Sequence, residues 1–184
     1  MDVRQARDLA RRLLEKPLPR RWAHSRGVAA QAERLAPILG SDAELLQSAA
    51  WLHDIGYSPA IAKTGFHPLD GARYLRDVEK ADPRLCNLVA HHSCALLEAE
   101  ERDLATELAA EFSLEDDALV DALIYCDMTT TPDGDETSAE ERLDEIVARY
   151  GPEHVVTRFI ERARPQLIAS SRAVSERLAA RFGQ

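Results

Sequence analysis

Six side chains of metal-binding type stand where a helical pattern asks for an apolar residue or a helix end. His24 heads the row His24, Val28, Ala32, Leu35, Leu39, whose spacing of three and four places it on an inward stripe. Asp127 closes the row Val120, Leu123, Ile124, Asp127, and His92 completes Leu85, Leu88, Val89, His92. A buried imidazole or carboxylate without a partner costs on the order of several kcal/mol, so each such position demands one. The neighbour His91 aligns with Arg84, Asn87 and Leu88 and reads as leaning toward the rim. His53 and Asp54 follow the stripe Leu45, Leu46, Ala49, Leu52. Adjacent helical residues project about 100° apart, so both can face one point only near the helix exit, a geometry that a bound cation satisfies. His67 precedes Pro68, a residue favoured at the start of a helix, and therefore sits at a helix entrance.

Together His24, His53, Asp54, His67, His92 and Asp127 offer four imidazoles and two carboxylates from five segments. Imidazole suits Zn, Fe, Mn, Ni and Co, carboxylate adds affinity for hard ions and can bridge two of them, and no thiolate belongs to the set. Mixed nitrogen and oxygen donors without sulfur argue against a structural zinc site. Taken singly, each of the six also reads as a satisfied core or cap residue.

The elements that must position these groups read as helices throughout. Runs at residues 3–14, 20–39, 42–52, 68–77, 83–92, 100–112, 115–127, 139–150 and 152–182 carry helical spacing, with Ser41 or Asp42 as the cap of the third and Gly56 as a left-handed cap beyond it. Ala, Leu, Arg and Glu dominate, and no alternating strand emerges, so the expected fold is all-α. With 184 residues, 45% apolar, eight Gly and nine Pro, and no repeat or linker, the chain reads as one domain over 1–184. The longest apolar run, Ala122 to Cys126, excludes a membrane span. The net charge of −9 disfavours nucleic acid and anionic lipid as partners. Residues 98–121 hold ten carboxylates and one base, Arg102, and read as a solvated helical face. Cys86, Cys94 and Cys126 form no C-x-x-C pair, and the N-terminus has no signal-like apolar segment, which together point to a reducing, cytoplasmic setting.

At these residues the sequence resembles the HD-domain metal-dependent phosphohydrolases, an all-α family whose pattern is His, then His-Asp, then a distant Asp: here His24, His53-Asp54 and Asp127. The resemblance covers about residues 20–130, with a helical extension over about 138–182. Phe66-His67-Pro68-Leu69-Asp70-Gly71-Ala72 and Ala90-His91-His92-Ser93 look like the further ligand segments of its dinuclear branch, which includes bacterial symmetric diadenosine tetraphosphate hydrolases. The resemblance implies two divalent ions, Fe or Mn favoured with Mg, Ni, Co or Zn as alternatives. It implies terminal ligation by His24, His53, His67, His92 and Asp127, with Asp54 as bridge and catalytic residue. The implied activity is hydrolysis of a phosphomonoester or nucleotide phosphoanhydride by metal-activated hydroxide. The implied partner is a small phosphate ester, a nucleotide. Tyr57 stands where the family often carries Lys, and Lys63 follows a turn later. Arg20 and Arg21, on the face of His24, and Lys63 are candidate phosphate contacts, although each also reads as a surface base. Thr129 and Thr130, just after Asp127, are candidate pocket hydroxyls, although Pro132-Asp133-Gly134 equally reads as a plain turn. Two other functions fit the same ligands: a diiron HD-type oxygenase, and a noncatalytic nucleotide-sensing domain using the last helix as a partner surface. The acid-rich stretch argues against a highly anionic dinucleotide.

Overall fold

A computed structural model describes residues 1–183. Ten α-helices and three short 3-10 turns make up its regular structure, and among the described residues there is no strand beyond a single bridge between Thr130 and Glu136. The fold is all-α, as the periodicity predicts. Helix α1 (Val3–Leu14) starts in a capping box between Asp2 and Gln5 and buries Ala6, Leu9, Ala10, Leu13 and Leu14. Helix α2 (Pro19–Leu39) opens on a proline that needs no amide partner there. Helix α3 (Ala43–Leu52) follows the turn Gly40–Asp42. Asp42 does not cap it: the carboxylate turns outward to Arg84 at 2.9 Å, and the 3-10 turn leads into the helix instead.

Helices α4 (His67–Asp77) and α5 (Pro83–His91) precede two short helices, α6 (Ala95–Glu101) and α7 (Ala105–Glu111). The single run expected at 100–112 is thus broken, at Asp103, which has a φ of +59°. Helix α8 (Asp117–Met128) is capped by Asp116, α9 (Ala139–Tyr150) by a Ser138–Glu141 box, and α10 (Val155–Phe182) by His154.

Helix α8 divides the interior. Leu119, Ala122, Leu123 and Cys126 join the main core built from α1 to α5, whereas Ile124 and Met128 join a second core. That second core takes Leu143 and Ile146 from α9 and Phe159, Ile160, Ala163 and Leu167 from α10. The apolar stripe of α10 is therefore covered from within, and Asp127 lies at the seam between the two cores.

The acid-rich segment is not a freely solvated face. Arg73 grips Glu107 and Glu111, Arg76 reaches Glu111 at 2.7 Å, and Arg84 reaches Glu115 at 3.0 Å. From the other side Arg158 and Arg162 bind Glu101 at 3.0 and 2.7 Å. Such partly exposed pairs are worth little individually, about 0–1 kcal/mol, but they match α6 and α7 to the basic faces of α4 and α10. Charge counting along the chain cannot reveal this, because the partners lie tens of residues away.

Candidate metal centre

The six singled-out side chains come together from the ends of five helices. His24 projects from the second turn of α2, and His53 and Asp54 follow the last turn of α3. His67 is the first residue of α4, where Asp70 fixes the approach by accepting from the Lys63 and Thr64 amides at 2.8 and 3.0 Å. His92 follows α5, and Asp127 sits in the last turn of α8.

Gly56 makes the juncture possible, though not as a left-handed cap: it lies within the 3-10 turn Ile55–Tyr57 and its φ is not positive. What it supplies is close approach. A Cβ at this position would stand 1.9 Å from the His67 carbonyl oxygen and 2.8 Å from the Gly71 amide nitrogen.

Beyond His92 the chain turns through two left-handed residues, Ser93 (φ +50°) and Cys94 (φ +61°). Left-handed backbone without glycine costs about 1–3 kcal/mol per residue and persists only where the surroundings impose it. Here the turn delivers the Ser93 hydroxyl to Asp127 Oδ2, where it donates at 2.5 Å.

The donors fall into two sets. In one, ligand atoms of His24, His53 and Asp127 lie within 4.8 Å of one another; in the other, those of Asp54, His67 and His92 do. Three imidazoles are oriented alike, each giving its Nδ1 proton to a backbone carbonyl: His24 to Thr131 at 3.0 Å, His53 to Ala50 at 2.8 Å and His92 to Val89 at 2.7 Å. A carbonyl can only accept, so Nδ1 carries a proton, and in the singly protonated tautomer Nε2 of each ring is a lone pair aimed inward. This is the orientation that ligating histidines need. Two consequences fit a cation. His24 Nε2 stands 3.0 Å from Asp127 Oδ1, two acceptors facing each other, and His53 Nε2 is buried with no hydrogen-bond partner at all.

Asp54 touches both sets. Its Oδ2 lies 3.6 Å from His53 Nε2 and its Oδ1 lies 3.4 Å from His67 Nε2. Arg21 donates to Oδ2 at 2.8 Å. Burial opposes ionisation of Asp54, yet the Arg21 guanidinium holds its carboxyl well below the usual range. Burial pushes His67 and His92 down, which keeps them neutral.

A sign for acid sensitivity follows. Unfolded histidine titrates near ~6.5 and the folded values of His67 and His92 lie lower, so below pH ~6.5 the unfolded chain binds more protons. The unfolding free energy of chelator-treated protein is expected to hold above that pH and to fall below it, by up to about 1.4 kcal/mol per pH unit for each ring, with the denaturation midpoint falling in step. A midpoint that rises on acidification from pH 7 to 5.5 would contradict these environments.

Tyr57, standing where a lysine was expected, builds a stack. Its ring lies 3.9 Å from that of His67, nearly parallel, and the Arg21 guanidinium lies 3.9 Å over its other face. Ring stacking of this kind contributes about 0.5–1.5 kcal/mol, and cation–π contact adds a similar amount. Tyr57→Ala is therefore expected to weaken metal binding at the His67 set about 10-fold, whereas Tyr57→Phe should leave it unchanged. Competition with a fluorescent chelator reads the difference, and equal affinities would remove the stack from the account.

The remaining candidates divide. Arg21 lines the cleft onto which Asp54, His67, His92 and Asp127 open, whereas Arg20 does not line it and is paired with Asp133 at 2.9 Å. Lys63 lies beside Ala60 and Tyr74 on another surface. Thr129 and Thr130 donate their hydroxyls to Tyr125 and Cys126 carbonyls at 2.6 and 2.7 Å, closing α8 instead of lining the cleft. Thr131 contributes by its carbonyl alone. His91 is buried, not at the rim, and donates to the Phe112 carbonyl at 2.9 Å.

Among the cleft residues that escaped the sequence reading are Glu98 and Arg142. Both interrupt apolar rows, Ala95-Glu98-Ala99 and Ala139-Arg142-Leu143-Ile146, and so carried the same signal as Asp127. Glu98 is paired with Arg102 at 2.6 Å.

Comparison with known proteins gives one match. Residues 21–128 fit the family model described as HD domain. No curated protein and no solved structure matches the chain.

Proposed function

This chain belongs to the HD-domain family, and on that footing we propose that it is a metal-dependent phosphohydrolase of a small phosphate ester, a phosphomonoester or nucleotide phosphoanhydride. The observation that carries the reading is the position of Asp54, whose two oxygens face two different histidine sets. His24, His53 and Asp127 would hold one divalent ion and His67 and His92 a second, with Asp54 between them and Fe or Mn favoured. Bound cations supply there an acidified water and neutralise phosphate oxygens.

The protein's own groups do the rest. Backbone carbonyls of Ala50, Val89 and Thr131 fix the ring orientations. Arg21 keeps Asp54 ionised through Oδ2, so the carboxylate can serve both histidine sets and stay within reach of the attacking water. The charged lining of the cleft is Arg21, Arg142 and Arg149 against Asp54, Glu98 and Asp127. With Asp54 and Asp127 offset by cations, the balance favours an anion. Apart from Glu98, the acidic segment 98–121 does not line the cleft, so diadenosine tetraphosphate, the substrate of a branch that the ligand motifs resemble, belongs among the compounds tested.

Hydrolysis is to be measured, as free phosphate or pyrophosphate and as nucleotide or 4-nitrophenol product, with nucleoside mono-, di- and triphosphates, diadenosine tetraphosphate and 4-nitrophenyl phosphate, with Mn(II) or Fe(II), in air and anaerobically. Turnover of at least one compound in both atmospheres is expected. Metal-loaded protein that hydrolyses none would contradict the proposal, and turnover only in air would indicate an oxygenase.

A further inference from the structure

One wall of the cleft comes from α9 and α10, outside the residues that match the family model. On α9 the cleft-facing positions are Arg142, Ile146, Arg149 and Tyr150, spaced as one helical face. Arg142 is 5% exposed. Its Nη1 is held by Glu145, yet its Nε has no hydrogen-bond partner. A buried guanidinium with an unmade bond is costly, and burial lowers the Arg142 pKa in keeping with that cost. Glu145 also holds Arg149, at 3.4 Å, so one carboxylate orients both bases. Opposite them Val156 of α10 lies half-buried beside Tyr150, with Phe159 and Ile160, almost wholly buried, forming the floor behind it.

We infer that α9 and α10 form a substrate half-site in which the Arg142 fork binds the phosphoryl oxygens and the Tyr150, Val156, Phe159 and Ile160 surface takes a flat, apolar group of nucleoside size. Arg suits this task because its planar donors match two phosphate oxygens at once. The inference rests on the phosphohydrolase reading for its substrate, but not for its geometry. The half-site gives an organic phosphate with an aromatic group an advantage over a small hydrophilic one such as glycerol phosphate.

The test uses Mn-loaded, full-length protein and inorganic phosphate as the probe, read by calorimetry, beside KM and kcat for 4-nitrophenyl phosphate and glycerol phosphate. Arg142→Gln should weaken phosphate binding at least 10-fold and raise KM for both esters, with metal content unchanged. Where Gln prevents folding, Arg142→Lys is read instead, with at least a threefold loss expected from removal of the fork. Val156→Trp, at a half-buried position, should raise KM for the aromatic ester at least 10-fold while phosphate affinity stays within twofold. Wild-type phosphate affinity in the Arg142 variant overturns the anion clamp, and equal effects of Val156→Trp on both esters overturn the apolar wall. Arg142-dependent phosphate binding in a protein that hydrolyses no ester would support the half-site while rejecting the phosphohydrolase reading. Turnover indifferent to Arg142 would do the reverse.

Discussion

Asp54→Asn is expected to lower phosphate-ester turnover by about 10³-fold or more while leaving the helical circular dichroism intact. The substitution keeps the shape of the side chain and removes the charge that faces both histidine sets. One oxygen lies 3.6 Å from His53 and the other 3.4 Å from His67, so an amide, with a single oxygen, cannot serve both. It also presents an N–H donor where a lone pair is needed. A factor of 10³ corresponds to about 4 kcal/mol of transition-state stabilisation, the scale associated with losing a charged group from a preorganised site. Metal content should fall in step with activity. A variant that retains turnover within tenfold of the parent would show that Asp54 is not the shared carboxylate.

Gly56→Ala is expected to destabilise the fold by about 3 kcal/mol, which for a chain of this size lowers the melting temperature by roughly 6–12 °C. The added Cβ would meet the His67 carbonyl oxygen at 1.9 Å and its carbon at 2.7 Å, both main-chain atoms that cannot rotate aside. The start of α4 would have to retreat, carrying His67 away from Asp54. Metal affinity at the His67 set should therefore fall together with stability. Gly71→Ala provides the comparison, since its Cβ would find the Gly56 nitrogen at 3.2 Å and needs only a small adjustment. Melting of Gly56→Ala within 2 °C of the parent would contradict the close approach.

These two predictions show what the sequence made legible and what it hid. His24, His92 and Asp127 could be singled out because each occupies a core position in a row of otherwise apolar residues, and the helices carrying them formed close to the expected ranges. The same test, applied to α9, would have found Arg142. Gly56 could be placed at the end of α3, but its purpose depends on a carbonyl from another element, and one-dimensional spacing contains no such distance. The hydroxyls of Thr129 and Thr130 illustrate the converse: adjacency to Asp127 suggested a pocket, while the unpaired carbonyls at the end of α8 claimed both groups. The charge of 98–121 likewise read as isolated because Arg73, Arg76, Arg84, Arg158 and Arg162 lie far off in sequence.

The central claim is that six side chains make two adjoining ion sites sharing Asp54. Elemental analysis of protein purified without chelator, run beside Asp54→Asn, tests it most directly. The account predicts two equivalents of divalent metal per chain, Fe or Mn foremost, falling to one or fewer in the variant. A parent protein that takes up one equivalent at saturation, or none, would contradict it.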